Sequence, residues 1–254
     1  LLTNYYSTRL YVFEKFKLIG KFTGFSNDFV ANGDVSGKFG QIKSDINLKI
    51  DPTHIDQSTF NGNLNLSNFD LGIVLSDTSH FKKVSLSGKI KGKGLTQETT
   101  DFQLTGKINS IGILKYIYVN ITTDARFARQ LFNGTVTIDD PNVKLQANGS
   151  INIRKGEERV NIKANLDTLF TQRIGLTNEH LFISSGVDIN TQGLSLDSLF
   201  GNIALINSFI EYKDQSLVFD TVFISSQLKD NKHNLLLRSD YANADLTGNF
   251  YYST

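Results

Sequence analysis

Covalent chemistry needs particular residue types at particular spacings, and in this chain those types are missing or scattered. Cysteine is absent from the 254 residues, which removes thiol nucleophiles, disulfides, thiolate zinc sites and iron–sulfur clusters together. The four histidines, His54, His80, His180 and His233, stand far apart in turn-like surroundings without paired metal-ligand spacing, and read as solvated loop residues. Neither the G-x-S-x-G turn that exposes a nucleophilic serine nor the phosphate-cradling G-x-x-x-x-G-K-[ST] loop occurs. Asp139-Asp140-Pro141-Asn142 gathers two carboxylates, too few for a calcium loop. Asp, Pro and Asn are turn formers, so this segment predicts a tight turn between Ile138 and Val143. Lys83, Lys89, Lys91 and Lys93 form a basic stripe on one face of a segment, either a solvated face or a set of headgroup contacts at a groove rim. The expectation is a protein that is not an enzyme, without metal or cofactor.

Composition narrows the classes further. Lys and Arg number 26 against 25 Asp and Glu, a formal charge of +1, so no strong net field draws the chain to nucleic acid or to an anionic membrane. At 39% hydrophobic with a mean hydropathy of −0.19, it reads as a water-soluble, folded polypeptide. The N-terminal segment lacks a basic start followed by an apolar stretch, and no apolar run approaches the roughly 20 residues of a membrane helix. With no methionine, the chain reads as an interior piece or processed product of something longer.

The elements that must position any working surface follow from a period of two. Ile42, Ser44, Ile46, Leu48 and Ile50 alternate with Gln41, Lys43, Asp45, Asn47 and Lys49. The pattern returns at Phe60–Leu66, Val84–Ile90, Phe102–Ile108, Phe132–Ile138, Val143–Ile153, Val160–Leu166 and Leu246–Phe250. Strict alternation predicts half-buried antiparallel strands, whereas buried parallel strands would read as continuous apolar runs. Helical pattern is confined to Asn68–Asp77, with Asn68 or Asp70 as cap, and to a turn or two at Leu166–Ile174 and Ser195–Phe200.

Glycines fall inside these strands, on the apolar side: Gly37, Gly62, Gly88, Gly106, Gly134, Gly149 and Gly248 share one register. An inward residue without a side chain lets a strand bend with its apolar face concave. At roughly 13 residues per strand and turn, the chain would hold about 16 to 20 strands, spanning roughly 75–95 Å side by side. So long an apolar face, with almost no helix to cover it, exceeds what a soluble monomer leaves bare. The fold predicted is an all-β antiparallel meander, residues 1–254 as one elongated segment, bent into a trough with an apolar interior. The predicted lining is Ile46, Leu48, Phe60, Leu64, Leu86, Ile90, Leu104, Ile108, Val136, Leu145 and Ile151, and such a groove suits acyl chains.

Several stretches resemble the TamB branch of the AsmA-like, bridge-type lipid transfer superfamily in its Bacteroidota form. They include Gly20–Gly24, Phe60–Gly72, Val84–Gly94, Tyr116–Ile121, Phe132–Asn142 and Leu237–Gly248, in family order over most of residues 20–250. The resemblance implies a taco-shaped β-groove in the periplasm, anchored to the inner membrane by a helix outside this segment. It implies an upstream periplasmic region that holds or conducts lipids, with bound phospholipid as the only ligand, or that assists outer-membrane protein assembly. The implied partners are lipids and an outer-membrane barrel assembly protein, with no nucleic acid.

In such a setting Asp167-Thr168-Leu169, Asp197-Ser198-Leu199 and Asp220-Thr221-Val222 resemble the O-glycosylation motif of Bacteroidota secreted proteins, placing sugars on Thr168, Ser198 and Thr221. The same residues serve equally as caps and turn formers. A competing function is an envelope interaction scaffold that binds a barrel or another protein through exposed strand edges, without lipid transport. An outer-membrane barrel fits less well, because glycines would be wasted on a lipid face and tryptophan is absent.

Overall fold

The computed structural model describes residues 15–96, 98–193, 200–213, 215–229 and 232–248. Fifteen strands form one antiparallel sheet in which each strand pairs with its neighbours in sequence, so the order in space is the order in the chain. They are β1 (Phe16–Phe25), β2 (Asp28–Gly37), β3 (Gly40–Lys49), β4 (Thr59–Asp70), β5 (Phe81–Lys93), β6 (Asp101–Ile113), β7 (Tyr116–Ala128) and β8 (Leu131–Asp140). After them come β9 (Val143–Asn152), β10 (Arg159–Phe170), β11 (Leu181–Gln192), β12 (Phe200–Tyr212), β13 (Gln215–Lys229), β14 (Lys232–Ser239) and β15 (Asn243–Gly248). The sheet is open: β1 and β15 stand at its two ends and do not pair. The chain divides into two compact units, Leu1–Asp124 and Ala125–Thr254.

In the first unit the register explains the alternation. Leu18, Val35, Ile42, Leu66, Leu86 and Ile108 stand opposite one another from β1 to β6. The next row along the strands is Gly20, Gly33, Ser44, Leu64, Gly88 and Gly106, and the one after is Phe22, Ala31, Ile46, Gly62, Ile90 and Leu104. All three lie on one face, because successive side chains of a strand point to opposite faces. The opposite face carries lysines, aspartates and asparagines, with cross-strand pairs such as Lys49–Asp28 at 3.1 Å.

Bulky rows flank a row that is small at five of six positions. Gly62, in the next row, shows how close the backbones come: a Cβ there would lie 2.0 Å from the Asp45 carbonyl oxygen on β3. Only glycine fits such an approach.

A compact core sits at one end of these rows. Phe39, in the β2–β3 turn, packs edge to face on Phe69 at 6.0 Å between ring centroids, with Val84 beside them. The Asp70 N–H donates to the Phe39 carbonyl (2.7 Å), tying the turn to the end of β4. Asp70 then caps a short helix, α1 (Leu71–Leu75), its Oδ1 accepting from the Ile73 N–H at 3.1 Å. Of the two caps expected, Asp70 is the one used.

The second unit repeats the plan with a different lining. Its rows are Phe132, Ile151, Val160, Thr191, Gly201, Ser226, Leu235, Leu246 and, next along, Gly134, Gly149, Ile162, Ile189, Ile203, Ile224, Leu237, Ala244. Gly149 combines a φ of +152° with a hypothetical Cβ only 2.0 Å from the Asn161 carbonyl oxygen. The Asp139–Asn142 segment makes the expected turn, the Asn142 N–H donating to Asp140 Oδ1 at 2.8 Å.

Three expectations need correction. The strands run longer than the spacing expected, to fifteen residues in β13, and fifteen of them lie within the described residues against 16 to 20 expected for all 254. Leu166–Ile174 is not helical from its start: β10 continues to Phe170 and a turn follows. Gly37 is the last residue of β2, so it ends a strand instead of bending it, and Gly248 is the last described residue of β15. The helix expected at Ser195–Phe200 falls on residues 194–199, which lie outside the described residues.

Candidate functional site

The structure places the predicted lining by register. Ile46, Leu48, Phe60, Leu64, Leu86, Ile90, Leu104 and Ile108 stand on one face of the first unit. Val136, Leu145 and Ile151 stand together on one face of the second, beside Ala147 and Ile138. Leu104 is buried, and the others are half-buried while the residues between them are mostly exposed. Leu18, Val35, Ile42 and Leu66 extend the same surface. Their alternation was visible in the sequence; the pairing that aligns them was not.

This surface is a continuous strip of hydrocarbon, six strands wide in the first unit, with amides and charges on the reverse side. Gly88 and Gly106 face each other directly on β5 and β6, as do Gly134 and Gly149 on β8 and β9. Four of the predicted bend glycines therefore form two cross-strand pairs, while Gly62 stands between Ile46 and Ile90. Two hollows of about 670 Å³ lie mainly among polar-face side chains, one lined by Thr135, Gln146, Lys163, Asn165 and Asp188, the other by Lys21, Asn32, Asp34 and Lys43.

Polar groups on the apolar side are confined to a few places. In the second unit Thr191 and Ser226 are 1% and 2% exposed and flank Gly201 in one row. Among the described residues the Ser226 hydroxyl has no hydrogen-bond partner. Ser185 and Ser208, also buried, bring their hydroxyls within 2.8 Å. These hydroxyls were not expected from the sequence; their only signal is that Thr191 and Ser226 fall in the inward register.

The histidines do not converge. His54 and His80 occupy two loops of the same design, in which an aspartate three residues earlier accepts from the histidine N–H and from an intervening hydroxyl. The Ser79 hydroxyl, then the His80 ring and the His80 backbone N–H, hold the Asp77 carboxyl down to about 2. Asp51 is lowered in the same way, first by the Thr53 hydroxyl. His180 lies 3.3 Å from Glu211, and His233 departs from the loop expectation: it sits in β14 with its ring stacked on Phe200. Among the described residues no three metal-ligating side chains come together.

Of the glycosylation candidates, Thr221 is exposed on β13, Thr168 is half-buried at a register shift in β10, and Ser198 lies outside the described residues. Lys83, Lys89, Lys91 and Lys93 all project from the polar side of β5, exposed. No protein-family model, no curated protein and no solved structure matches this chain.

Proposed function

We propose that this chain is a lipid-holding or lipid-conducting segment of a TamB-like envelope protein, acting between inner and outer membrane without covalent chemistry. One observation carries the reading: a half-buried apolar face continuous in register across six strands, with the reverse face charged. Acyl chains would cover that strip and keep it from water, while headgroups stay outside in solvent. The family resemblance supplies the periplasmic location, the inner-membrane anchor outside this segment and the outer-membrane barrel partner.

The test is photo-crosslinking in cells, with probes at Leu64 and Ile108 on the apolar face and at Asn63 and Thr105 on the polar one. Lipid adducts at the first pair alone are the expected result. Equal adducts on both faces, or protein adducts only, would remove the groove reading.

A second reading, the interaction scaffold, rests on β1. All ten of its residues are exposed, and Phe16, Leu18, Phe22 on one face and Ile19, Phe25 on the other are large and apolar. Among the described residues this strand ends the sheet, so another strand could add along its open edge. Ile19→Pro should then abolish a partner complex and leave lipid adducts at Ile108 intact.

A further inference from the structure

We propose that the polar side of β5 and β6 is a docking surface for an anionic lipid bilayer. Lys89, Lys91 and Lys93 occupy successive outward positions of β5, and Lys107 stands one strand away on β6, opposite Ser87. Outward positions of a strand repeat about every 6.8 Å, so the three β5 lysines make a line of about 14 Å with the fourth beside it. All four are exposed.

Their surroundings leave most of this charge without a carboxylate directly opposite. Asn63 and Thr105 flank Lys89, and Asn61 and Gln103 flank Lys91. Lys107 has Ser87 opposite it on β5, while Lys93 faces Asp101, and Asp124 accepts from Gln103 and from Thr105. Some lysines elsewhere do pair: Lys43 with Asp34 at 3.6 Å, Lys49 with Asp28 at 3.1 Å, Lys144 with Asp139 at 3.6 Å and Lys163 with Asp188 at 3.0 Å. A net charge of +1 therefore conceals a local excess, and attraction to an anionic surface would come from this face alone.

The chemistry of the patch favours a bilayer over nucleic acid. On β4 and β6 the outward positions beside Lys89 and Lys91 hold Asn61, Asn63, Gln103 and Thr105, none of them an aromatic ring to stack a base or an arginine to grip a phosphate with two hydrogen bonds. Lysine ammonium groups are mobile point charges, suited to a field spread over many headgroups. Each contributes about fivefold to partition onto an anionic surface, so four together give on the order of several hundredfold. The inference uses the face opposite the apolar strip and stands whether or not that strip carries lipid.

The test is flotation of the chain with phosphatidylcholine vesicles, with and without phosphatidylglycerol. It compares wild type with K89Q/K91Q/K93Q/K107Q and with K43Q/K49Q/K144Q/K163Q, which removes equal charge from paired positions. Circular dichroism checks that both variants keep the sheet. Wild type and the paired-lysine variant should bind the anionic vesicles alone. The patch variant should bind at least about a hundredfold more weakly, and K89Q/K91Q about 25-fold. Binding by wild type should vanish near 1 M salt, where screening reaches about 3 Å. Failure of wild type to float, equal loss in both quadruple variants, or tighter binding to a single-stranded oligonucleotide at equal phosphate would each overturn the proposal.

Discussion

The two units share strand pairing and alternation but are filled differently. The first buries an aromatic–aliphatic cluster, Phe39, Phe69 and Val84, at one end of rows made of leucine, isoleucine and glycine. The second, on the equivalent face, buries hydroxyls at Thr191, Ser226, Ser185 and Ser208. In the first, a folded-over turn supplies a conventional core. In the second, buried Val143 and Ile174 are joined by these small side chains, one of which keeps a polar atom with no partner among the described residues. Close backbone approach, at Gly62 and at Gly149, is common to both units, and the buried aromatic plug distinguishes the first.

If this contrast is real, the first unit should be the more sensitive to truncation. Phe39→Ala should destabilise it by about 3–5 kcal/mol, because an almost fully buried ring leaves a cavity against Phe69. Urea unfolding followed by a probe in residues 15–124 would measure this, and a loss below about 1 kcal/mol would show that the cluster is not a core.

Close approach is tested next, by Gly149→Ala. The substitution combines a left-region φ with a Cβ driven into the Asn161 carbonyl, for a loss of about 2–4 kcal/mol. A probe in residues 125–248 should report the change.

Ser226→Ala sharpens the comparison, because its expected sign is opposite. Removing a buried hydroxyl with no partner among the described residues should stabilise the second unit by about 1 kcal/mol. A destabilisation of that size would mean that the hydroxyl is satisfied in solution.

The smallest effect is electrostatic and belongs to the first unit. Asp77 is held at about 2 in the folded chain, below its ordinary 3.8. A depressed carboxylate contributes stability that is fully present above 3.8 and is lost as pH falls through about 2. Carbonyl NMR of Asp77 should show a midpoint near 2, shifting toward the ordinary value in Ser79→Ala. A wild-type midpoint near 4 would sink the loop geometry.

Much of this architecture was legible from alternation alone. A strand with one half-buried face must put apolar residues at every second position, so Ile42–Leu48 or Phe60–Leu66 declared both strand and face. The cap at Asp70 was legible because an acidic residue preceded the short apolar run. The end of β10 was not: the apolar residues fall at Leu166, Leu169 and Phe170 because a register shift after Leu166 breaks the period of two, and that spacing imitates a helix. The buried hydroxyls also escaped, since serine and threonine read as outward-facing until pairing shows Thr191 and Ser226 in line with Val160 and Leu235. The lysine stripe was visible, but not which residues stand opposite it, because compensation depends on the strands alongside.

The order of the strands has a kinetic meaning. Every ladder joins neighbours in sequence, so loops close over short distances and the entropy lost at each step is small. Contact order is low for a protein made of sheet, and each hairpin can add to a finished edge as the chain is synthesised, without waiting for its far end. The same property makes length adjustable. Inserting or deleting one hairpin preserves which residues face in and which face out, so such a chain can lengthen two strands at a time and keep its two faces distinct.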